Sequence, residues 1–302
     1  MAALFCFGLG YCAEHYVAEF GARFDRIGGT VRTREKAAHI AASRFGNHAV
    51  EAFVFDGSAT TPEITAALMD ASALLVSVPP REGDPVLAQF ADAIAGAPYL
   101  QSIVYLSTVG VYGDHAGAWV DETTAPAPVS DRGRERLEAE QAWAALRAHA
   151  GKAVAIFRLS GIYGPGQNAL TQVARGTARR IDKPGQVFNR IHAADIAQAI
   201  DAAFVNHADG VFNVTDDEPT RQGDPIAFAA ELLGMAPPSL IPFDEASKSM
   251  SPMALSFYGE SKRVQNDKLK RELSVRLRYP TYREGLRALL ETDGMARSPS
   301  CD

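Results

Sequence analysis

The sequence predicts an α/β protein built around a doubly wound parallel sheet. Short, continuously apolar runs alternate with amphipathic segments through the first half of the 302-residue chain. Strands of this kind, buried on both faces and separated by helices, are typical of parallel sheets. The composition, 47% hydrophobic and 22% charged, is that of a globular protein. A chain of this length can bury roughly three-quarters of its unfolded surface, so a full core is available.

The predicted elements follow one another in order. Apolar runs predict strands at residues 4–7, 24–31, 50–55, 74–78, 102–106 and 153–159. Helical spacing of apolar residues predicts helices at 11–22, 35–45, 85–95 and 131–149. Beyond residue 164 the alternation loosens, and we expect helices at 194–205, 225–233 and 282–290 and a strand at 211–214.

Charge and cysteine content exclude several classes of protein. The chain has 30 Lys and Arg against 36 Asp and Glu, a net charge of −6, which argues against nucleic-acid binding. Cys6, Cys12 and Cys301 do not form a disulfide framework, and the scattered histidines predict no metal site. The first apolar run lacks a basic start and ends at Gly8, so it does not read as a signal peptide. No run approaches the roughly 20 residues of a membrane span, and we expect a cytoplasmic protein.

The first turn has the pattern of a dinucleotide-binding loop. Gly8, Gly10 and Ala13 match G-x-G-x-x-G/A between a buried strand and a helix, with Tyr11 and Cys12 at the intervening positions. The first Gly allows a tight turn, the second lets the backbone approach a pyrophosphate, and the small third residue permits close packing. The positive end of the helix dipole favours the phosphates.

The end of the second strand indicates which dinucleotide binds. An NAD site has an Asp or Glu about 20 residues after the glycines, where it holds the ribose 2′-hydroxyl. Here the strand ends in Arg32, Thr33 and Arg34, with no acid in that position. Guanidinium groups suit a 2′-phosphate, so the sequence favours NADP(H) over NAD(H). A solvated basic turn is the alternative.

Two more strand ends are candidate cofactor contacts. Asp56 and Gly57 follow the third strand, where the adenine edge is expected, although Asp-Gly also forms ordinary turns. Val78, Pro79 and Pro80 end the fourth strand, at the carboxyl edge where such sheets bind ligands. They could equally be a simple strand terminator.

Four later segments carry motifs of one known family, in the family's order. Residues 107–113 read S-T-V-G-V-Y-G, and residues 158–166 read R-L-S-G-I-Y-G-P-G. Residues 191–195 read I-H-A-A-D, and residues 212–219 read F-N-V-T-D-D-E-P. With the first turn, they resemble the extended short-chain dehydrogenases/reductases, which include NAD-dependent epimerases and dehydratases. The resemblance implies a Rossmann-type sheet, an NAD(P) cofactor and a small carbonyl or hydroxyl substrate, such as a sugar-like compound.

The family's catalytic Tyr-x-x-x-Lys pair is missing. The surrounding frame aligns without a gap over residues 128–140 and places Arg132 at the Tyr position and Arg136 at the Lys position. Arginine stays charged and cannot exchange a proton near neutral pH, although Arg136 can still donate to a cofactor ribose. The chain therefore resembles the atypical members that keep the cofactor site without the Tyr.

The resemblance also implies roles at the fifth strand. Thr108 aligns with the residue that hydrogen-bonds the substrate oxygen, and Ser107 beside it is expected at the cofactor. Tyr112 is a phenol near the carboxyl edge and a candidate proton relay, as well as a structural residue that ordinary members share. We count Thr108, Tyr112 and Arg136 as candidate catalytic residues.

Three residues are candidate substrate contacts. Tyr163 follows the sixth strand, and Arg190 and His192 lie in the I-H-x-x-D segment. For Tyr163 and His192, packing is the competing interpretation.

The motif order divides the chain into a core and a lobe. We expect residues 1–165 to form the dinucleotide-binding core, with 186–214 returning to it. Residues 166–185 and 215–292 are expected to form a smaller substrate lobe, and 293–302 a flexible tail. The resemblance implies a homodimer through the helix at 131–149, but that helix has a charged surface.

Two functions remain open. The first is an NADP-dependent oxidoreductase of the epimerase/dehydratase type, in which Thr108 orients the substrate oxygen. The second is a nucleotide-binding sensor or docking protein without turnover, which the arginines at positions 132 and 136 favour.

Overall fold

The computed structural model describes residues 2–292. Its strands are β1 Ala3–Phe7, β2 Arg26–Val31, β3 Glu51–Val54, β4 Ala73–Val76, β5 Ser102–Thr108, β6 Trp119–Val120, β7 Ala153–Leu159, β8 Gly161–Tyr163, β9 Arg180–Asp182, β10 Arg190–His192, β11 Gly210–Val214, β12 Leu240–Pro242 and β13 Arg263–Val264. Seven of them form one parallel sheet in the order β3-β2-β1-β4-β5-β7-β11. The strand order reverses between β1 and β4, and ligands bind at such a reversal in doubly wound sheets. The predicted fold class is confirmed.

Helices cover both faces of this sheet. The helices within residues 2–292 are α1 Tyr11–Phe20, α2 Arg34–Ala42, α3 Pro62–Asp70, α4 Pro85–Gly96, α5 Asp131–Ala150, α6 Ala169–Ala174, α7 Ala193–Val205, α8 Gly223–Leu232, α9 Phe243–Ala246, α10 Pro252–Ser256, α11 Asp267–Leu273 and α12 Tyr282–Thr292. The helices predicted from periodicity are all present, with ends that differ by a few residues. Side-chain caps begin several of them, including Thr33 at α2, Asp84 at α4 and Ser130 at α5.

Helix α3 was not predicted from the sequence. Thr61 caps this helix by accepting a hydrogen bond from Ile64 N, and Pro62 occupies its first turn. A Thr-Pro pair before apolar residues is a recognised start signal. The buried residues Ile64 and Leu68 are four positions apart, the spacing of one helix face, so the sequence carried signals for this helix.

The two faces of the sheet bury separate apolar clusters. Leu4 and Cys6 of β1 point to one face, where α1, α2, α7 and α11 pack. Phe5 and Phe7 point to the other, where α3, α4 and α5 pack. Strands with apolar residues on both sides therefore read as continuous runs in the sequence.

The later segments form additional structure at the carboxyl edge. Helices α6, α8 and α12 share a third apolar cluster that includes Leu170, Ile226 and Leu286. Strand β8 pairs with β10, β9 with β12, and β6 with β13. β11 is an edge strand of the main sheet, and α7 packs against α1. The tail predicted at 293–302 lies outside the described residues.

Within residues 2–292, we find no helix that combines the length and the apolar character needed to cross a bilayer.

Candidate cofactor and substrate site

The loops after β1 and β4 meet at the strand-order reversal. Gly8 directly follows β1 and has φ +97°, a backbone conformation that L residues rarely adopt. A Cβ built on Gly8 would lie 2.6 Å from Ser77 Oγ and 3.4 Å from Val78 Cγ2. The Ser77 hydroxyl donates to the Gly8 carbonyl oxygen at 2.9 Å, and Gly8 N donates to Thr30 Oγ1 at 3.0 Å. Ser77 and Thr30 therefore hold the turn from both sides by hydrogen bonds. Neither residue was predicted from the sequence to have this role.

The start of α1 leaves space for a phosphate group. Gly10 is the N-cap residue, at φ −112°, and no side chain caps this helix, unlike α2, α4 and α5. A Cβ on Gly10 would have no neighbour within 4 Å. This open backbone at a helix N-terminus fits the pyrophosphate of a dinucleotide. When bound, a nicotinamide dinucleotide supplies hydride-transfer chemistry at its nicotinamide ring.

The remaining residues of the first turn contact the protein interior or the segment after β8. Tyr11 donates its hydroxyl hydrogen to the Pro165 carbonyl oxygen at 3.1 Å, which joins the turn to the segment after β8. Cys12 and Ala13 are buried beneath the turn. Burial raises the pKa of the Cys12 thiol to about 11, which favours the neutral thiol near pH 7.

The edge at β2 and β3 is open to solvent. Arg32, Thr33 and Arg34 are exposed beyond the end of β2, and the Thr33 hydroxyl caps α2 through Lys36 N at 3.2 Å. Asp56 is also exposed and accepts hydrogen bonds from the backbone and hydroxyl of Ser58. These bonds make residues 56–58 a local turn, which still leaves the outer carboxylate oxygen available.

The other candidate cofactor contacts, which follow β3 and β4, differ in exposure. Gly57 has φ +100° and approaches Pro85 at the start of α4. Val78 is half-buried beside Gly8, Pro79 is exposed and Pro80 is buried. Strand β4 ends at Val76, two residues before the predicted boundary.

Ser107 belongs to a buried network behind the site. Its hydroxyl donates to Glu140 Oε1 at 2.5 Å, and Glu140 also accepts from Arg158. The Arg158 guanidinium lies 4.7 Å from the centre of the Tyr112 ring. The Tyr112 hydroxyl donates to Asn213 Oδ1 at 2.8 Å. Ser107 and Tyr112 are thus both buried with their hydroxyls engaged, and their roles in ligand binding and catalysis stay predictions.

The two arginines at the family's catalytic positions point in different directions. Arg132 is exposed in the first turn of α5. Arg136 is buried, and its Nη1 donates to the Leu106 carbonyl oxygen at 2.8 Å and to the Tyr105 hydroxyl at 3.2 Å. Both partners are on β5, so Arg136 ties α5 to the sheet. Its contact with a cofactor ribose stays a prediction.

Thr108 ends β5 at the carboxyl edge of the sheet. Its Oγ1 accepts a hydrogen bond from Gly110 N at 3.1 Å, which starts the short 3₁₀ turn Val109–Tyr112. The side chain is only half-buried, in contrast to Ser107. The hydroxyl can therefore still donate to a substrate oxygen.

Tyr163 and His192 pack together below the lobe. Their rings are 5.0 Å apart, and Tyr279 covers the His192 ring at 4.2 Å. His192 Nδ1 accepts from Ala194 N and caps α7, while Nε2 has no hydrogen-bond partner among residues 2–292. Burial lowers the pKa of His192 to about 4, which keeps the ring neutral. For both residues the geometry favours packing, and their predicted contact with substrate is untested.

A cavity of about 290 Å³ separates the β8–β10 pair from the helices of the lobe. Arg190 borders it, and its Nη1 donates to Thr220 Oγ1 at 2.6 Å while Nη2 donates to the Arg221 carbonyl oxygen at 3.1 Å. Amide, phenol and aliphatic side chains share the wall, among them Tyr163, Asn168, Gln222, Ile226 and Tyr282. This mixed lining suits a polar small molecule.

One part of the site was missed from the sequence. Residues 260–262 run beside the turn after β5, where Lys262 Nζ donates to the Gly113 carbonyl oxygen at 2.9 Å and pairs with Glu260 Oε1 at 3.1 Å. Ser261 N donates to Asp114 Oδ1 at 2.8 Å. These contacts join positions about 147 residues apart along the chain, so no local pattern signals them.

Among the described residues, no group of three or more His, Cys, Asp or Glu side chains could hold a metal ion.

Comparisons with known proteins place this architecture in one family. The model of the NAD dependent epimerase/dehydratase family matches residues 88–215. The chain is similar to Protein YeeZ of Escherichia coli (strain K12), with 30% identity over 221 residues that cover 71% of this chain and 74% of that protein. The chain therefore belongs to the NAD dependent epimerase/dehydratase family.

Solved structures share this fold. A functionally unknown conserved protein from Silicibacter pomeroyi DSS is 44% identical, with a TM-score of 0.85 over 97% of this chain and 99% of that one. The dTDP-glucose 4,6-dehydratase of Bacillus anthracis str. Ames, solved in complex with NAD, has a TM-score of 0.73 at 16% identity, covering 96% of each chain. The second likeness shows the shared fold alone.

Proposed function

We propose that the protein is an NADP(H)-dependent oxidoreductase of the epimerase/dehydratase type. The observation that carries the proposal is the open Gly10 backbone at the start of α1, which shares the carboxyl edge of the sheet with the half-buried Thr108. The first binds a pyrophosphate, and the second orients the oxygen of a carbonyl or hydroxyl group. A cofactor and a substrate oxygen can thus be held at one edge.

The preference for NADP(H) is supported by the charges at the end of β2. Arg32 and Arg34 are exposed there, and neither has a recorded ion pair within residues 2–292. No acidic residue occupies the strand end where it would hold a 2′-hydroxyl and repel a 2′-phosphate. The guanidinium groups are available for charge-assisted hydrogen bonds to that phosphate.

The substrate class is supported by the lobe cavity. Its wall combines the phenols of Tyr163 and Tyr282 and the Arg190 guanidinium with aliphatic side chains, a polar and apolar mixture that suits a sugar-like molecule. One structure of the same fold is a dehydratase of a nucleotide-linked sugar. We therefore include sugar-like carbonyl compounds and nucleotide sugars in the substrate panel.

A nucleotide-binding protein without turnover is the second candidate. Arg132 cannot replace an acidic phenol, and Arg136 is engaged with Leu106 and Tyr105 on β5. In this alternative, the protein binds the dinucleotide but catalyses no reaction with it.

The experiment separates binding from turnover. NADPH fluorescence is titrated for wild type, Thr108→Val and the control Thr177→Val, whose threonine is exposed in the lobe. NADPH oxidation is then followed with a panel of small aldehydes, ketones, quinones and nucleotide 4-keto sugars. We expect all three proteins to bind NADPH, and Thr108→Val alone to lose at least tenfold in kcat/KM. Tight binding with no turnover on the whole panel would contradict the enzyme and support the second candidate.

A further inference from the structure

Two oxygen atoms from distant parts of the chain face the space above Gly110. A methyl group placed on Gly110 would lie 3.5 Å from Thr108 Oγ1 and 3.6 Å from Glu260 Oε1. Gly110 itself has no side chain, so this space is open to both. Thr108 Oγ1 and Glu260 Oε1 therefore border the same space.

The position of Glu260 is built by several contacts. Its Oε1 pairs with Lys262 Nζ at 3.1 Å, and the same ammonium donates to the Gly113 carbonyl oxygen. Its backbone carbonyl oxygen accepts from Gln186 Nε2 at 2.6 Å. The Lys262 side chain is 4% exposed, but that of Glu260 is 18% exposed. The carboxyl group is thus anchored on one side and still reachable from the site.

The charges around Glu260 adjust its affinity for a proton. Burial raises its pKa above the ordinary value, the Lys262 ammonium opposes that rise, and the carboxylate of Asp114 adds to it. Burial also lowers the pKa of Lys262, which the negative charge of Glu260 opposes. A carboxyl group with a raised pKa beside a buried cation can hold a proton and can also release it, as a general acid must.

We infer that Glu260 is the catalytic acid–base residue of this protein, exchanging a proton with the substrate oxygen that Thr108 holds. This role rests on the proposed oxidoreductase function. In reduction, the carbonyl carbon gains the hydride of the reduced nicotinamide, and its π electron pair moves to the oxygen. That oxygen takes the proton of the Glu260 carboxyl group, which becomes a carboxylate beside Lys262. Water protonates the carboxylate before the next turnover.

The other candidate groups are less suited to the step. The Tyr112 hydroxyl is buried and donates to Asn213 Oδ1. The Tyr163 hydroxyl lies against the Thr281 carbonyl oxygen at 3.4 Å, next to α12. Arg132 stays charged. Glu260 Oε1, in contrast, is among the three heavy atoms nearest to a Cβ placed on Gly110.

The experiment compares Glu260→Gln with Glu245→Gln, which changes an exposed carboxylate of the same lobe. Glutamine keeps the shape and the hydrogen-bonding oxygen but cannot release a proton. We follow NADPH oxidation with 9,10-phenanthrenequinone and with the panel substrates that wild type reduces, from pH 5 to 9, and we measure NADPH affinity by fluorescence. General acid catalysis typically contributes 10²- to 10⁴-fold. We expect Glu260→Gln to lose about 100-fold or more in kcat with unchanged NADPH affinity, and Glu245→Gln to resemble wild type.

Two further measurements test the role of Glu260: the pH dependence of kcat/KM and the titration of the carboxyl group by NMR. Because reduction needs the protonated carboxyl, wild-type kcat/KM must fall as the pH rises through the pKa of Glu260, and Glu260→Gln must lose this limb. Independently of turnover, ¹³C NMR of glutamate-labelled protein should show one carboxyl, absent from Glu260→Gln, that titrates above the ordinary glutamate value of about 4.3. Turnover that survives in Glu260→Gln, or a carboxyl that titrates at or below that value, overturns the role of Glu260 alone. NADPH binding without any turnover in wild type overturns the proposed function and this role together.

Discussion

Arg158 and Glu140 form an ion pair in the interior, with 2.7 Å between Nη2 and Oε2 and both side chains no more than 5% exposed. Glu140 lies on α5 and Arg158 on β7, so the pair joins the helix to the sheet directly behind Ser107. Breaking a buried pair by removing one partner leaves an uncompensated charge, which costs about 3–5 kcal/mol.

The first prediction concerns this pair. Glu140→Ala should lower the free energy of unfolding by about 3–5 kcal/mol, because the Arg158 guanidinium would remain buried without its carboxylate. Urea denaturation measures the change. Glu138→Ala, at an exposed position of the same helix, should change the free energy by less than about 0.5 kcal/mol. A loss below about 1 kcal/mol in Glu140→Ala would show that water reaches the pair.

The second prediction separates binding from stability at the first turn. Gly10→Ala should leave the free energy of unfolding nearly unchanged, because a Cβ there meets nothing within 4 Å and φ is −112°. NADPH affinity should fall more than tenfold, since the methyl group would occupy the space of the pyrophosphate. Gly96→Ala, equally unobstructed on α4, is the control for the added methyl group. Unchanged NADPH affinity in Gly10→Ala would place the phosphates elsewhere.

The third prediction addresses cofactor preference. Arg32→Ala should weaken NADPH binding about tenfold, since a charge-assisted hydrogen bond is worth roughly 1.5–3 kcal/mol and this exposed site is partly screened by salt. NADH binding should change less than twofold, because it lacks the 2′-phosphate. Arg44→Ala, beyond the opposite end of α2, should affect neither. Equal affinity of wild type for both cofactors would contradict the argument from the end of β2.

The fourth prediction is a pH dependence of stability at His192. Burial lowers its pKa from 6.5 to about 4 in the folded state, so between these values the unfolded chain binds the proton more readily. Stability from the neutral ring is therefore present above pH 6.5 and is lost as the pH falls toward 4. The loss amounts to roughly 3 kcal/mol, at about 1.4 kcal/mol per pKa unit.

His192→Asn provides the comparison for this loss. Asparagine can accept the same capping hydrogen bond from Ala194 N without titrating. Urea denaturation between pH 7 and pH 4 should show wild type losing roughly 3 kcal/mol more than the variant. Parallel pH curves for the two proteins would mean that His192 is not buried as a neutral ring.

Local signals explain which elements the sequence could predict. The Gly8–Gly10 turn was recognisable because its glycines, the buried strand before it and the helix after it are contiguous. Most strands of the main sheet were recognisable because they are buried on both faces and therefore read as apolar runs, whereas the edge strand β3 is exposed or half-buried along its length. The short pairs β6–β13 and β9–β12 were not recognisable, because strands of two or three residues show no period.

The sequence by itself determined the parallel α/β fold, the dinucleotide turn and the replacement of the family's Tyr and Lys by Arg132 and Arg136. Only the tertiary structure decided that Arg136 turns inward to β5 and that Glu260 reaches the space above Gly110 beside Thr108. The physical reason is the distance along the chain. A turn or a strand is specified by neighbouring residues, whereas a carboxyl group 150 positions away is brought to the site only by folding of the whole chain.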